Sequence, residues 1–197
     1  MSRITLLLGL LASLTLTPVL AQDEAASEDE AADSGVPLYL AAERARLTLD
    51  ISDPALMAEL GGADRYDSDF WRVRAGWRVF PAVALELQTG FADSDGRDPG
   101  EVELSEFYNF SIVPTGVFLE LIEVSARIGY GSLEVERGAG RYSAEGLSYG
   151  LNVELPLRLL VEGAPDLRLT SGVSIYQEET RGRFYGYHYG LRYDFDF

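Results

Sequence analysis

The chain has no cysteine and no lysine, and it has a single histidine. The lack of cysteine excludes disulfides, thiol chemistry and a lipid anchor attached through a cysteine. Exported chains often rely on disulfides, so stability here is expected from a closed sheet. Basic charge is scarce. All 16 cations are arginines, against 32 acidic residues, for a net charge of −16. That balance argues against nucleic acid as a partner and suits divalent cations. Beyond the first 21 residues, no stretch approaches the roughly 18 consecutive apolar residues that a membrane helix needs. Any span of the remaining chain has to be made of strands.

The beginning reads as an export leader. Arg3 supplies a short positive region, Ile4–Leu16 is nearly all apolar, and Val19 and Ala21 precede a cleavage point after Ala21. Residues 1–21 are therefore expected to be a signal peptide. Residues 22–36 contain the acidic tract QDEAASEDEAADSG, expected to be a disordered linker. Residues 37–197 form one domain.

Within that domain the polarity alternates. The last thirteen residues, Tyr185–Phe197, place Tyr185, Tyr187, Tyr189, Leu191, Tyr193, Phe195 and Phe197 on one parity. Gly186, His188, Gly190, Arg192, Asp194 and Asp196 occupy the other. A strand sends alternate side chains to opposite faces, so one face is apolar throughout. A soluble protein would have to bury it, whereas a bilayer accepts it if the sheet closes and leaves no edge. Seven further strands are read at about 38–50, 68–80, 82–92, 102–113, 121–135, 143–156 and 167–177. The fold class is all-β, an eight-stranded antiparallel up-and-down transmembrane barrel.

Connections follow from turn chemistry. In the long loop Ile51–Asp67, Asp53-Pro54 opens a short helical turn and Gly61-Gly62 closes it. Pro81 marks a tight turn, and Pro114-Thr-Gly116 opens the connection after the fourth strand. On that strand Val102, Leu104, Tyr108, Phe110 and Ile112 share a face, interrupted by Glu106.

Magnitudes decide which face meets lipid. An arginine facing lipid at the midplane costs about 2–4 kcal/mol. Slipping the second strand by one residue would expose Arg72, Arg74 and Arg78 together, at roughly 5–10 kcal/mol, the whole stability of an ordinary domain. The charged parity must point inward. The lumen is expected to hold Arg72, Arg74, Arg78, Glu86, Glu123, Arg127, Glu154, Arg168, His188, Arg192 and Asp194, with both signs paired. Trp71, Trp77, Tyr187, Tyr189 and Tyr193 should face lipid. Trp77 with Phe80, and Tyr187 with Phe197, should mark the interfaces.

The residues Tyr189, Leu191, Tyr193, Phe195 and Phe197, with the segment Gly76–Gly90, resemble the OmpA-type and opacity-type barrel domains of Gram-negative outer membranes. The resemblance covers about 38–197. It implies that Tyr193, Phe195 and Phe197 are an assembly signal, and that barrel assembly machinery and periplasmic chaperones are partners. Outer-membrane lipids and lipopolysaccharide would surround a monomer. The peptidoglycan-binding domain that follows the barrel in the best-known members has no counterpart in this sequence.

No zinc spacing or phosphate-cradling glycine loop is present, and no cofactor is expected. His188 could act as a general base with Ser148 or Ser174, but on an inward face it reads better as a lumen hydrogen-bonding residue. Asp93-Ser-Asp-Gly-Arg-Asp98 resembles a calcium loop without the later glutamate. The leading expectation is a non-enzymatic envelope protein with surface contacts through its loops, including Ile51–Asp67 and Asp93–Gly100. A narrow pore would need an open gap lined by Gly76, Gly90, Gly146, Gly150 and Gly172. A lipid A-modifying enzyme is the remaining alternative.

Overall fold

The computed structural model describes residues 37–93, 100–119, 121–161, 167–178 and 181–195. The export leader, the acidic tract, most of the aspartate loop after Asp93, Asp196 and Phe197 lie outside the described residues. The rest is a closed antiparallel barrel in which each strand pairs with its sequence neighbours and β8 pairs with β1. The strands are β1 (Leu38–Ile51), β2 (Arg65–Phe80), β3 (Val83–Ala92), β4 (Glu103–Phe118), β5 (Ile122–Arg137), β6 (Gly140–Pro156), β7 (Leu167–Glu178) and β8 (Gly182–Phe195). Following paired residues once around the barrel leads from Leu38 to Thr48, ten residues further along β1. That stagger tilts the strands by about 40°. Residues 37 and 195 lie at the same end, here called the terminal end; the other end is distal.

Several boundaries differ from the alternation pattern. β2 starts at Arg65 and β6 at Gly140, so the distal ends of these strands are longer than expected. The β5–β6 connection shrinks to a tight turn with Gly138 at φ 61°. β4 does not turn at Pro114 but continues to Phe118. Pro114 has no N–H, and the β4–β5 ladder skips from Ile112↔Ile128 to Thr115↔Ser125 around it while Val83 pairs with it from β3. A bulge between Leu104 and Glu106 resolves the irregularity of that strand. The extra residue shifts the phase, so Val102, Leu104 and Phe107 point inward while Tyr108, Phe110 and Ile112 point outward. Val102 and Leu104 therefore do not share a face with Tyr108, as strict alternation suggested.

Asp53 caps a short helix α1 (Pro54–Glu59) with a hydrogen bond from Ala55 N–H to its carboxylate at 2.8 Å. Gly61 and Gly62 leave it at positive φ. β3 is shorter than its neighbours. Above it, Asp67 of β2 bonds directly to the stretch leading into β4, through Gly100 O at 2.8 Å and Val102 N at 3.0 Å.

Four of the five glycines expected to line a pore, Gly76, Gly90, Gly150 and Gly172, do not leave an open gap. A Cβ on Gly76 would lie 1.9 Å from the Tyr39 ring, and one on Gly90 would lie 2.8 Å from Phe70. At Gly172 it would meet the Asn152 amide at 2.3 Å and His188 Nε2 at 2.7 Å, and at Gly150 Ser174 Oγ at 3.1 Å. Their missing side chains are space that larger neighbours fill. Tyr39 is pinned there, its hydroxyl donating to Glu86 at 2.9 Å and Arg192 lying 4.0 Å over its ring. Gly76→Ala should therefore destabilise the barrel by about 1–3 kcal/mol through overpacking. Urea unfolding from lipid vesicles measures this. In the Gly76→Ala background, Tyr39→Ala should cost less than it does alone, because the clash is then relieved.

Candidate functional site

Two interiors are stacked inside one barrel. The terminal part is ionic. Arg72, Arg74, Arg127 and Arg192 are buried with Glu43, Glu86, Glu123 and Glu154, so four positive charges face four negative ones. Glu43 accepts from Arg72 Nε at 2.7 Å and from Arg74 Nε at 2.9 Å. Arg74 reaches across to Glu86 at 2.6 Å and to Glu154 and Thr170 at 3.2 Å each. One guanidinium thus joins β1, β2, β3, β6 and β7. Arg127 Nε lies 2.8 Å from Glu86 Oε1, although its N–H is not aimed at that oxygen. Arg192 bonds Glu123 at 2.7 Å and also Glu154.

Towards the terminal mouth the network opens to partial exposure. Arg78 donates to Glu123 at 2.8 Å, and Arg168 and Arg192 each reach Asp194 at 3.0 Å. Every lumen residue named from the sequence lies in this network or, for His188, beside it. Glu43, Tyr39 and Thr170 were not singled out. β1 carries charges on both parities, Glu43 inward and Arg44 and Arg46 outward, so alternation alone left its faces ambiguous.

His188 is 1% exposed. Its Nε2 lies 2.6 Å from the Asn152 amide. The hydrogen-bond pattern orients that amide with its nitrogen donating to His188 Nε2 and its oxygen accepting from Arg127 Nη2, both at 2.6 Å. Neither serine considered as its partner serves it. Ser148 accepts from Asn109 at 2.6 Å and Ser174 from Arg127 at 3.5 Å. A histidine–serine pair is therefore absent among the described residues.

The distal part is apolar inside. Leu47, Leu49 and Ile51 of β1 pack with Tyr66, Phe70, Leu104, Phe107, Leu133, Val135, Tyr176 and Phe184, and Leu56 and Leu60 close the top. Phe107 meets Phe70 at 5.6 Å and Tyr176 edge-on at 5.0 Å. Tyr176 joins the two interiors, since its hydroxyl accepts from Arg72 at 2.6 Å. The cap is tied to β2, to β5 and to the β7–β8 connection. Leu60 O accepts from the Tyr66 hydroxyl at 2.6 Å and from Arg137 at 3.0 Å, while Arg181 pairs with Asp53 at 2.7 Å.

The exterior inverts at the same level. Terminal to it, outward residues are apolar and exposed: Leu38, Leu40, Val73, Trp77, Leu87, Phe110, Ile112, Ile128, Leu151, Val153, Leu191 and Tyr193 among them. Trp77 pairs with Leu38, which pairs with Phe195, near the terminal rim. Trp71, Tyr108, Tyr130 and Tyr187 form the distal rim of this band, with Tyr189 one outward position below Tyr187. The two tryptophans and Tyr187, Tyr189 and Tyr193 are all exposed. From Trp71 to Val79 the band runs about 27 Å along a strand, or about 20 Å vertically at the barrel's tilt. That approaches the roughly 25 Å apolar belt of membrane barrels.

Distal to the aromatic rim the outer wall is charged. Arg44 pairs with Asp93 and lies 5.7 Å over Trp71, and Arg46 grips Asp69 through two 2.7 Å bonds. Thr48 donates to Asp67 and Arg65 to Tyr185, at 2.7 and 2.6 Å. Acidic residues exceed arginines there, with Glu103 opposite Glu136 and Glu106 opposite Glu134 across one strand pair.

This architecture recurs among solved proteins. Neisserial surface protein A aligns with 80% of this chain and 97% of its own, at TM-score 0.51 and 14% identity. Ail of Yersinia pestis, crystallised with the heparin analogue sucrose octasulfate, aligns with 82% of this chain and 99% of its own, at TM-score 0.53 and 9% identity. The fold is that of the small eight-stranded outer-membrane barrels. No protein-family model matches the chain, and no curated protein matches it by sequence. At such identities these barrels share architecture, and no residue role passes from one to another.

Two outcomes follow from the stacked interiors. Glu43→Gln leaves Arg72 and Arg74 short of a charge partner in a buried site, and should cost about 3–5 kcal/mol in equilibrium unfolding. The Arg181 hydrogen bond holds the Asp53 carboxyl below the usual carboxylate range. The folded group is therefore more acidic than the unfolded one, and the bridge's contribution is complete at neutral pH and lost as pH falls through the folded value. Carboxyl NMR should show Asp53 titrating at unusually low pH, and Arg181→Gln should bring it back towards the ordinary range.

Proposed function

We propose that this protein is a non-enzymatic outer-membrane barrel with a role in envelope structure and a distal head for surface contacts. The reading rests on one observation: exterior and interior exchange polarity at the same level. Hydrocarbon suits the lower wall and water suits the upper one, so the level of inversion marks a membrane surface. Short turns of such barrels face the periplasm and the longer loops face outward, which puts the helix-capped head outside the cell. Export by a cleaved leader, and insertion by the assembly machinery using Tyr193, Phe195 and Phe197, belong to the same reading.

Structural support fits a barrel filled from end to end better than a conduit. An eight-stranded barrel is only wide enough for its own side chains. Here an ionic plug lies below an apolar one, and α1 closes the top. The acidic outer surface of the head favours cationic partners, or lipopolysaccharide phosphates bridged by divalent cations. It disfavours a polyanion such as the sulfated sugar bound to Ail.

Membrane fractionation tests this. The protein should sediment with the outer membrane, shift in gel mobility on boiling, and show no steady conductance steps in planar bilayers. Recovery as a stable monomer in detergent-free buffer would overturn the membrane reading, and reproducible conductance would replace the structural role with a pore.

A further inference from the structure

At the terminal end, beyond the last rungs of the ladders, two neighbouring turns carry unusual side chains. The β4–β5 turn presents Val117, Phe118, Leu119 and Leu121 to the outside, and the β6–β7 connection presents Leu159, Leu160 and Val161. Leu119 is 69% and Leu160 66% exposed. Turns normally use Gly, Asn, Asp or Ser. Leu119 even adopts φ 53°, a left-handed conformation that costs an L-residue about 1 kcal/mol or more and that glycine or asparagine would adopt readily. Nothing within the described chain repays that choice. The opposite flank has a smaller turn: β2–β3 is Pro81-Ala82, and its one large exposed apolar side chain is Phe80 at the end of β2.

Two further features indicate what covers these turns. Val117 and Phe118 point to opposite sides of β4, yet both are exposed, so the described apolar side chains of the turn lie on both sides of the strand and not on one docking face. The turn backbones are also partly satisfied internally. Leu121 N–H donates to Phe118 O at 3.2 Å, and Leu160 and Val161 N–H both donate to Leu157 O, at 2.9 and 3.0 Å. Irregular backbone is not tolerated in the hydrocarbon core, but an apolar tip with bonded amides suits the boundary between headgroups and acyl chains, about 5–10 Å deep. Arg158, on the same connection, is exposed and long enough to place its charge among headgroups.

We propose that the β4–β5 and β6–β7 turns are lipid anchors, immersed in the interfacial layer of the leaflet at the terminal end. The occupant is the lipid surface itself, continuous with the apolar belt that the proposed function assigns to the bilayer, and the inference rests on that reading. Its consequence is asymmetry. The apolar wall is taller on the β4–β7 flank than on the β1–β3 flank, and a barrel with unequal walls tilts or thickens the bilayer locally.

The absence of cysteine makes the test direct. Single-cysteine variants Leu119→Cys, Leu160→Cys, Ala82→Cys and Leu151→Cys would carry an environment-sensitive fluorophore. Each is first shown to keep its heat-dependent gel shift in phosphatidylethanolamine–phosphatidylglycerol vesicles. Quenchers are a lipid spin-labelled near the headgroup and a water-soluble iodide. Labels at 119 and 160 should be quenched by the spin-labelled lipid about twofold or more above the label at 82, and should be shielded from iodide. Equal behaviour at 119, 160 and 82, with Leu151 in lipid, would overturn the anchors and leave the membrane reading intact. Shielding from both quenchers would point to a protein partner and also overturn them. Iodide access at Leu151 would sink the membrane reading itself. Leu119 and Leu160 report independently, so failure of one variant to fold leaves the other to decide.

Discussion

Everything in this barrel depends on where ionic groups are allowed to sit. Over the lower wall the outside is apolar, so charges on those strands have only the interior to occupy. Inside, water is excluded, and an unpaired charge is prohibitive. Four buried arginines therefore meet four buried glutamates, and Arg74 alone ties five strands together through its partners. The pairing holds the register as well as the charge. A one-residue slip of β2 would place its arginines on the apolar exterior, leave Glu43 unanswered and take Arg74 from Glu86.

The same constraint reverses above the aromatic rim. There the exterior tolerates ions, so the interior is free to be apolar, and it is. Phe70, Phe107, Tyr176 and Leu56 pack as the core of a soluble domain would, while Arg46–Asp69 and Thr48–Asp67 lie on the outside. A strand such as β1 obeys both rules along its length. Its inward residues run from Tyr39 and Glu43 to Leu47, Leu49 and Ile51, and its outward ones from Leu38 and Leu40 to Arg44 and Arg46. The head is thus a continuation of the barrel with its solvent exchanged, stiffened by its own core and helix.

Strong alternation was legible. β2, β3, β5, β6 and β8 show their faces residue by residue, and the arginines of β2 decide from sequence alone which face is inward. The helix could be read from Asp53-Pro54 and Gly61-Gly62 because capping is local chemistry. β4 was not legible, since one extra residue at its bulge reverses the parity of Leu104 and Phe107, and alternation assumes an unbroken count. Glu43 was missed for another reason. The outward arginines beside it are acceptable only because that level of the wall is polar, and a period of two carries no information about height.

The chain's own pattern was enough to determine that strands close on themselves around paired charge, because side-chain parity and the cost of an ion in lipid are both local quantities. Tertiary structure decided the rest: which carboxylate answers which guanidinium, that glycine gaps are filled by Tyr39, Phe70 and His188, and that polarity inverts part-way up. Those depend on the stagger between strands, which places residues distant in sequence at one height, and no single strand encodes it.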